Sequence, residues 1–417
     1  MEVEKMSSRR QVIQKQIQEN DNPSESSARL NLLIFGIIFI GMNLRAPLTS
    51  VGPLVGMIRD DLGISNTLAG VLTTFPLLAF ALVSPFAPKL IRRFEINKVL
   101  LATLPLLIIG IILRSVSGIG TLLLGTTVLG FAISICNVLL PSLIKKEFPK
   151  KIGFLTGIYS VSMNLCGAVA SGISIPLASD LGLGWKGAIG CWAVLTFISL
   201  FVWLPQTRFG QKQISIGILD SRDESVNIWR SGLAWKVTFF MGLQSLMFYT
   251  IVAWLPEILF DRGLNSSSSG WMLSLLQFSL LPFTFIIPVI SGRMTSQRLL
   301  VIFIFLLLVV GYSGLLIGGN SLIPVWAILI GIGVGSAFSL SMMFFTLRTQ
   351  NSRQAAELSG MAQAIGYLLA SIGPTLFGWM HDITHNWTLP LIILVVASVF
   401  LLIFGLGAGK NQTISLN

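Results

Sequence analysis

One arginine dominates the chemistry this sequence offers. Arg45 lies about thirteen residues into an apolar block near 32 to 58, roughly 20 Å along a helix that rises 1.5 Å per residue. A guanidinium at that depth of a bilayer costs about 2.5–3.5 kcal/mol on insertion scales, so it must face protein or a wet cavity and find a partner. Acidic partners are scarce: none of the 17 Asp and Glu falls mid-block, and Asp180, Glu257, Glu357 and Asp382 all sit at block ends. Backbone carbonyls, polar side chains, water or a visiting anion are left. A fixed guanidinium presents paired N–H donors that match a small planar anion. Solute contact and structural pairing therefore stand side by side as readings of Arg45.

Helical spacing extends the candidate site. Arg45, Thr49, Gly52 and Gly56 recur at i, i+4, i+7 and i+11, which puts them on one side of a helix. Gln363, Tyr367, Ala370 and Pro374 repeat that spacing and offer an amide and a phenol. Asn137 with Pro141, and Gln244, Tyr249 and Trp254, add weaker candidates. The expected solute contacts are thus Arg45, Thr49, Asn137, Gln244, Tyr249, Trp254, Gln363 and Tyr367. The competing reading is that these amides and aromatics bridge helices or sit at membrane interfaces.

Other chemistry finds little footing. An enzyme needs clustered acids, bases or metal ligands, yet the two histidines, His381 and His385, stand together without further obvious ligands. Cys136, Cys166 and Cys191 lie singly in apolar blocks and read as small buried hydrophobes. No GxxxxGK[ST] stretch occurs, so no nucleotide site is indicated. The sequence implies no metal, no cofactor and no catalytic residue.

What must position these groups is a membrane bundle. The chain has 417 residues, 53% apolar and 11% charged, far from the roughly one-quarter charged make-up of soluble domains. The apolar residues fall in blocks of about 20 or more, the length that crosses roughly 30 Å of hydrocarbon. Spans are predicted near 32–58, 67–89, 98–116, 120–144, 152–179, 186–204, 234–257, 268–292, 298–318, 322–347, 356–380 and 388–409. The charge-free stretch 299–347 is divided by a turn at Gly318, Gly319 and Asn320.

The net charge of +11 reflects topology rather than nucleic-acid binding, because Lys and Arg gather in alternate breaks between blocks. With a cytoplasmic N-terminus, 23 of the 28 basic residues fall inside, and Arg59, Arg114, Lys186 and Arg262 fall outside. Both termini are expected in the cytoplasm of a multi-pass bacterial inner-membrane protein. Residues 1–30 form a polar tail without the apolar core of a cleavable signal, 31–204 a first six-helix bundle, 205–232 a cytoplasmic linker, 233–409 a second bundle and 410–417 a short tail. An internal repeat agrees: Asp61-Leu-Gly63 answers Asp261-Arg-Gly263, and Gly70, Pro88 and Arg93 meet Gly270, Pro288 and Arg293 at the same shift of about 200 residues.

Several stretches carry a specific likeness. GMNLRAPLTSVGPL in the first span, AGVLTTFPLLAF in the second, FFMGLQSLMFYTIVAWLPEIL and SGWMLSLLQFSLLP in the seventh and eighth, and ELSGMAQAIGYLLASIGPTLFGWMHD in the eleventh resemble the cyanate and 2-nitroimidazole transporter family, a branch of the major facilitator superfamily. The likeness runs from about residue 30 to 408 and departs at Glu95, where a glycine commonly follows the arginine–phenylalanine pair. It implies an all-α integral membrane fold of twelve transmembrane helices in two pseudo-symmetric six-helix halves. It also implies a secondary transporter working by alternating access on a cyanate-like or nitroimidazole-like solute, with Arg92 and Arg93 in a gating loop. The expected partners are that small molecule and membrane lipid, for a monomer, with proton coupling open and no nucleic acid. Alternatives are a multidrug exporter on the same fold, for which an acidic cavity residue is missing, and an integral-membrane enzyme.

Overall fold

A computed structural model describes residues 23–64, 66–116, 118–207 and 227–414. The N-terminal tail to residue 22, the linker centre at 208–226 and residues 415–417 lie outside the described residues. The helices are α1 (Pro23–Asn43), α2 (Ala46–Thr49), α3 (Val55–Leu62), α4 (Asn66–Val83), α5 (Ala87–Arg93), α6 (Ile96–Ser115), α7 (Ile119–Glu147), α8 (Ile152–Ile175), α9 (Gly184–Gly190) and α10 (Trp192–Trp203). After the linker come α11 (Gly232–Asp261), α12 (Ser266–Ser291), α13 (Arg298–Ile317), α14 (Ile323–Leu347), α15 (Ser352–Thr384) and α16 (Thr388–Ala408). No strand occurs among the described residues.

Ten described stretches are long and apolar enough to span a bilayer, and an eleventh is the pair α4–α5, bent by 42°. The twelfth rod is the more polar α15, 33 residues long. Counted this way, six rods precede the linker and six follow it among the described residues.

Proline explains where rods break. Pro47 has no N–H to close on the carbonyl of Asn43, and Pro53 none for that of Thr49. The first rod accordingly runs as α1, a turn at Leu44–Arg45, the single turn α2, a 3₁₀ turn at Gly52–Leu54, and α3. Asn43 secures the start of that break: its Nδ2 donates to Phe39 O and Ser199 Oγ, each at 2.7 Å, and its Oδ1 accepts from Thr196 Oγ1 at 2.6 Å. Pro85, which cannot donate to Ala81 O, makes the α4–α5 bend in the same way.

The repeat is physical as well as textual. Gly63 and Gly263 take left-handed backbone, φ +60° and +89°, just past the first rod of each half. Two residues back, Asp61 Oδ2 accepts from Trp185 Nε1 at 2.9 Å, and Asp261 Oδ2 accepts from Trp387 Nε1 at 2.8 Å. The same clasp therefore joins the first and sixth rods of both halves. Close packing repeats too: a Cβ on Gly110 would meet Leu129 N at 2.7 Å, and one on Gly311 would meet Ile330 N at 3.2 Å. Small residues let backbones approach where lipid supplies no hydrophobic drive.

Arg29, near the start of the described chain, and Ile414, at its end, lie with Gln206, Glu147 and Arg348 at one end of the bundle, here the terminal end. Cross-half hydrogen bonds among the described residues lie there or midway along the rods. Gly360 on α15 lies so close to α4–α5 that a Cβ would sit 2.7 Å from Ser84 O, and Gly157 on α8 so close to α12 that one would sit 2.9 Å from Phe285 Cδ2. Toward the opposite end Gly52 and Gly56 face open space. One basic residue departs from its expected place. Arg114 was counted with the outer loops, but the structure buries it inside the first half, in the last turn of α6.

A Cβ at Gly331 would run into Ser279 Oγ and the Leu276 carbonyl, whereas Gly319 has nothing within 4 Å. Gly331→Val is expected to cost about 1–3 kcal/mol by overpacking and Gly319→Val far less, compared as melting temperatures of the purified proteins.

Candidate functional site

Between the halves lies a narrow cavity. Arg45 lines it from the α1–α2 turn, Asn164 from α8, Gln244, Ser245, Phe248 and Tyr249 from α11, Leu280 and Thr284 from α12, Val334, Gly335 and Phe338 from α14, and Tyr367 from α15. Space open to the centre of a water-sized sphere is about 20 Å³, room for one or two waters. The site is tight and mostly apolar, with few convergent polar groups, as small-ligand sites usually are.

The helix break delivers Arg45 to this cavity. Arg45 sits just before α2 with φ −119° and ψ −43°. Thr49 Oγ1 donates to Gly167 O at 2.7 Å and to Arg45 O at 3.2 Å, tying α2 to α8. Glycine at 167 is what permits this approach, because a Cβ there would stand 3.0 Å from Arg45 Cβ.

The Arg45 side chain makes no hydrogen bond or ion pair with any described residue. Its guanidinium carbon instead lies 5.1 Å from the Phe248 ring centre and 5.9 Å from that of Phe338. Such contacts are worth about 0.5–2 kcal/mol each and leave the guanidinium N–H groups unspent. Both rings belong to the second half and Arg45 to the first, so this contact crosses the pseudo-symmetry axis. Three of the four tyrosines, Tyr159, Tyr249 and Tyr367, lie within electrostatic reach of Arg45. The Tyr159 hydroxyl is buried and has no hydrogen-bond partner among the described residues.

Four of the eight sequence candidates line the cavity: Arg45, Gln244, Tyr249 and Tyr367. Gln244 Nε2 donates to Ser245 Oγ at 2.7 Å, and the Tyr367 ring packs 5.1 Å from Phe80. The other four hold helices together. Thr49 ties α2 to α8, as described, and Gln363 Nε2 donates to the Asn137 carbonyl at 3.2 Å and to Ser359 Oγ at 2.8 Å, linking α15 to α7 across the halves. Trp254 Nε1 donates to Pro374 O at 2.8 Å and its ring packs 5.3 Å from Trp387.

Sequence reasoning missed Asn164, Ser245, Phe248, Thr284 and Phe338. Ser245 alone had a signal, since it stands 200 residues after Arg45, the shift of the internal repeat. Aromatic residues in apolar blocks carry no such mark.

At the terminal end Arg92 Nη2 meets Glu357 Oε1 at 2.6 Å across the halves, and Arg353 reaches the same carboxylate at 3.4 Å. Arg93 is exposed and makes no ion pair with a described residue. Lys145, not singled out from the sequence, is better placed. From α7 its Nζ donates to Thr346 O at 2.5 Å, to Thr349 Oγ1 at 3.1 Å and to Thr349 O, covering the C-terminal carbonyls of α14. Ser142 Oγ adds a bond to Ser352 O at 2.6 Å.

Residues 33–374 match the model of the Major Facilitator Superfamily. An uncharacterized transporter, YycB, of Bacillus subtilis (strain 168) is 45% identical over 92% of this chain and 94% of its own. The 2-nitroimidazole transporter of Escherichia coli (strain K12) is 41% identical over 92% of this chain and 96% of its own. The cyanate transport protein CynX of the same organism is 24% identical over 85% and 91%. Among solved structures, the proton:xylose symporter XylE bound to 6-bromo-6-deoxy-D-glucose superposes with a TM-score of 0.76 at 12% identity, covering 93% of this chain and 98% of that one.

Trp254→Phe deletes the N–H donor to Pro374 and keeps the ring. The expected result is a stability loss of about 1 kcal/mol, read as a lower melting temperature, with solute affinity unchanged.

Proposed function

The chain belongs to the major facilitator superfamily, and from that premise we propose that this secondary transporter carries a small planar anion, or an acidic polar heterocycle of the nitroimidazole kind, past Arg45. The observation that carries the reading is a mid-bundle guanidinium at a cavity wall with no acceptor among the described residues. Its donors stay open for a visiting anion, and the Phe248 and Phe338 rings hold it without neutralising it. The 2-nitroimidazole transporter, similar along nearly the whole chain, supports the heterocycle. A carrier of hydrophobic cations is disfavoured because no carboxylate lines the cavity among the described residues.

The terminal end is proposed to face the cytoplasm, because the basic residues collect there. The conformation described is then closed toward the cytoplasm by the Arg92–Glu357 pair and the Lys145 cap, with the cavity on the external side of that closure. Release of the solute inward requires those bonds to break as the halves rock. Neither carboxylate nor histidine lines the cavity among the described residues, so the charge moved is the solute's own. The working unit is one chain in lipid, in a bacterial cytoplasmic membrane.

Two experiments test this. In proteoliposomes, 2-nitroimidazole should be taken up faster under an inside-positive voltage, while its N-methylated analogue, which cannot form an anion, should compete poorly. Arg45→Ala should weaken binding by roughly 10- to 100-fold, the worth of a hydrogen bond to a charged group, in a protein that remains folded. Equal competition by the methylated analogue, or full affinity in Arg45→Ala, would falsify the anion reading. For the gate, spin labels at Arg93→Cys and Gln350→Cys report the separation of the halves at the terminal end. Glu357→Gln and Lys145→Met should each move the distance distribution outward, Lys145→Met by about 5- to 30-fold in the closed-to-open ratio. An unmoved distribution in both would show that the closure rests on helix packing instead.

A further inference from the structure

A second guanidinium stands behind the first. Arg114, at the end of α6, is 1% exposed, and its Nη1 donates to the Pro47 carbonyl at 2.8 Å. Among the described residues its buried Nε has no acceptor and no ion pair offsets its charge. The fold makes room for it, since a Cβ on Gly125 of the adjacent α7 would lie 2.7 Å from Arg114 Cγ.

The acceptor it has chosen is informative. Pro47 is the residue that breaks the first rod, and Arg45 immediately precedes the single turn α2 that contains it. Beyond α2 the chain passes into a 3₁₀ turn, and among the described residues the Pro47 carbonyl accepts from Arg114 and, at 3.4 Å, from Ser50 Oγ. A buried carbonyl beside a broken helix needs a donor. Arg114 supplies it from a neighbouring rod, while Asn43 anchors the other side of the break to α10. The turn that aims Arg45 is thus clamped on both flanks. An unpaired buried cation is a costly way to make one hydrogen bond, so the position of that carbonyl must matter.

We propose that Arg114 is a positioning residue for the transport site: by holding the Pro47 carbonyl it fixes the angle at which the broken first rod delivers the Arg45 guanidinium into the cavity. This rests on the reading of Arg45 as the solute-binding group. The sequence pattern gives Arg114 no such role, because it ends its block like any loop arginine.

The test is a double-mutant cycle on the purified full-length protein, with 2-nitroimidazole as the probe and melting temperature measured in parallel. Arg114→Met should weaken binding roughly tenfold in the wild-type background, and by less than about twofold when Arg45→Lys has already weakened the site, because the two residues act as one unit. Equal losses in the two backgrounds, or no loss in either, overturn the proposal. Arg114→Gln keeps an N–H donor without the charge and should bind within about threefold of wild type; a loss as large as that of Arg114→Met overturns the hydrogen-bond mechanism. Should Arg114→Met fail to fold, Arg114→Lys and Arg114→Gln carried through the same two backgrounds still decide it, since dependence on residue 45 is the readout. Full affinity in the Arg45→Lys single variant would remove the solute-binding reading itself, an outcome separate from additivity at Arg114.

Discussion

A mid-bundle guanidinium with no acid to neutralise it among the described residues constrains much of this molecule. Arg45 cannot face lipid without a large cost, so the two halves must close around it, and they do so with ring faces rather than carboxylates. Aromatic quadrupoles lower the energy of the cation without consuming its N–H donors. A carboxylate would have spent those donors and cancelled the charge, leaving nothing to select a solute. Because the rings lie on one half and the cation on the other, any solute bound at Arg45 bears directly on how the halves sit together.

Putting the charge there required breaking a helix. An intact first rod would carry residue 45 on a regular helical path with its backbone spent on its own ladder. Pro47 opens that ladder, and the freed groups must be satisfied from outside because the membrane interior offers no solvent. Asn43 Nδ2 donates to the Phe39 carbonyl, Thr49 Oγ1 to the Arg45 carbonyl and Arg114 to the Pro47 carbonyl, while Asn43 with Ser199 and Thr196, and Thr49 with Gly167, tie the broken segment to α10 and α8. These contacts tie the segment that carries the cation to α6, α8 and α10.

The pseudo-symmetry is close where it is structural and abandoned where it is functional. The Asp61–Trp185 and Asp261–Trp387 clasps, and the Gly110 and Gly311 contacts, repeat at shifts of about 200 residues. Arg45 instead answers Ser245, and the buried Arg114 answers Gly314. Both halves have the same task of packing six rods, so those contacts persist in duplicate. Even the duplicated clasp differs in its second partner, with Lys186 beside Asp61 and His381 beside Asp261.

The sequence by itself determined the rods, the halving of the chain, the repeat, and Arg45 as the residue to explain. Hydrophobic length and charge placement are properties of the chain alone, because the bilayer and not the neighbouring helix sets them. Span ends were legible to within a few residues for the same reason, as at the Gly318–Asn320 turn, which separates α13 from α14. Within the site, half of the expected contacts line the cavity, because a helical face can be read from spacing but not what that face meets. Thr49, Trp254 and Gln363 sit on suitable faces, yet each side chain donates to a backbone carbonyl on another rod, that of Asn137 in the case of Gln363. Phe248 and Phe338 look like ordinary lipid-phase residues until the halves bring them over Arg45. Whether Arg114 lies in a loop or beneath the broken first rod, and whether Lys145 or Arg93 bonds across the halves, was decided by tertiary structure alone. In a bundle of twelve apolar rods, polar partners are assigned by the rotation and depth of each rod against its neighbours, and these are fixed by packing between segments far apart in the chain.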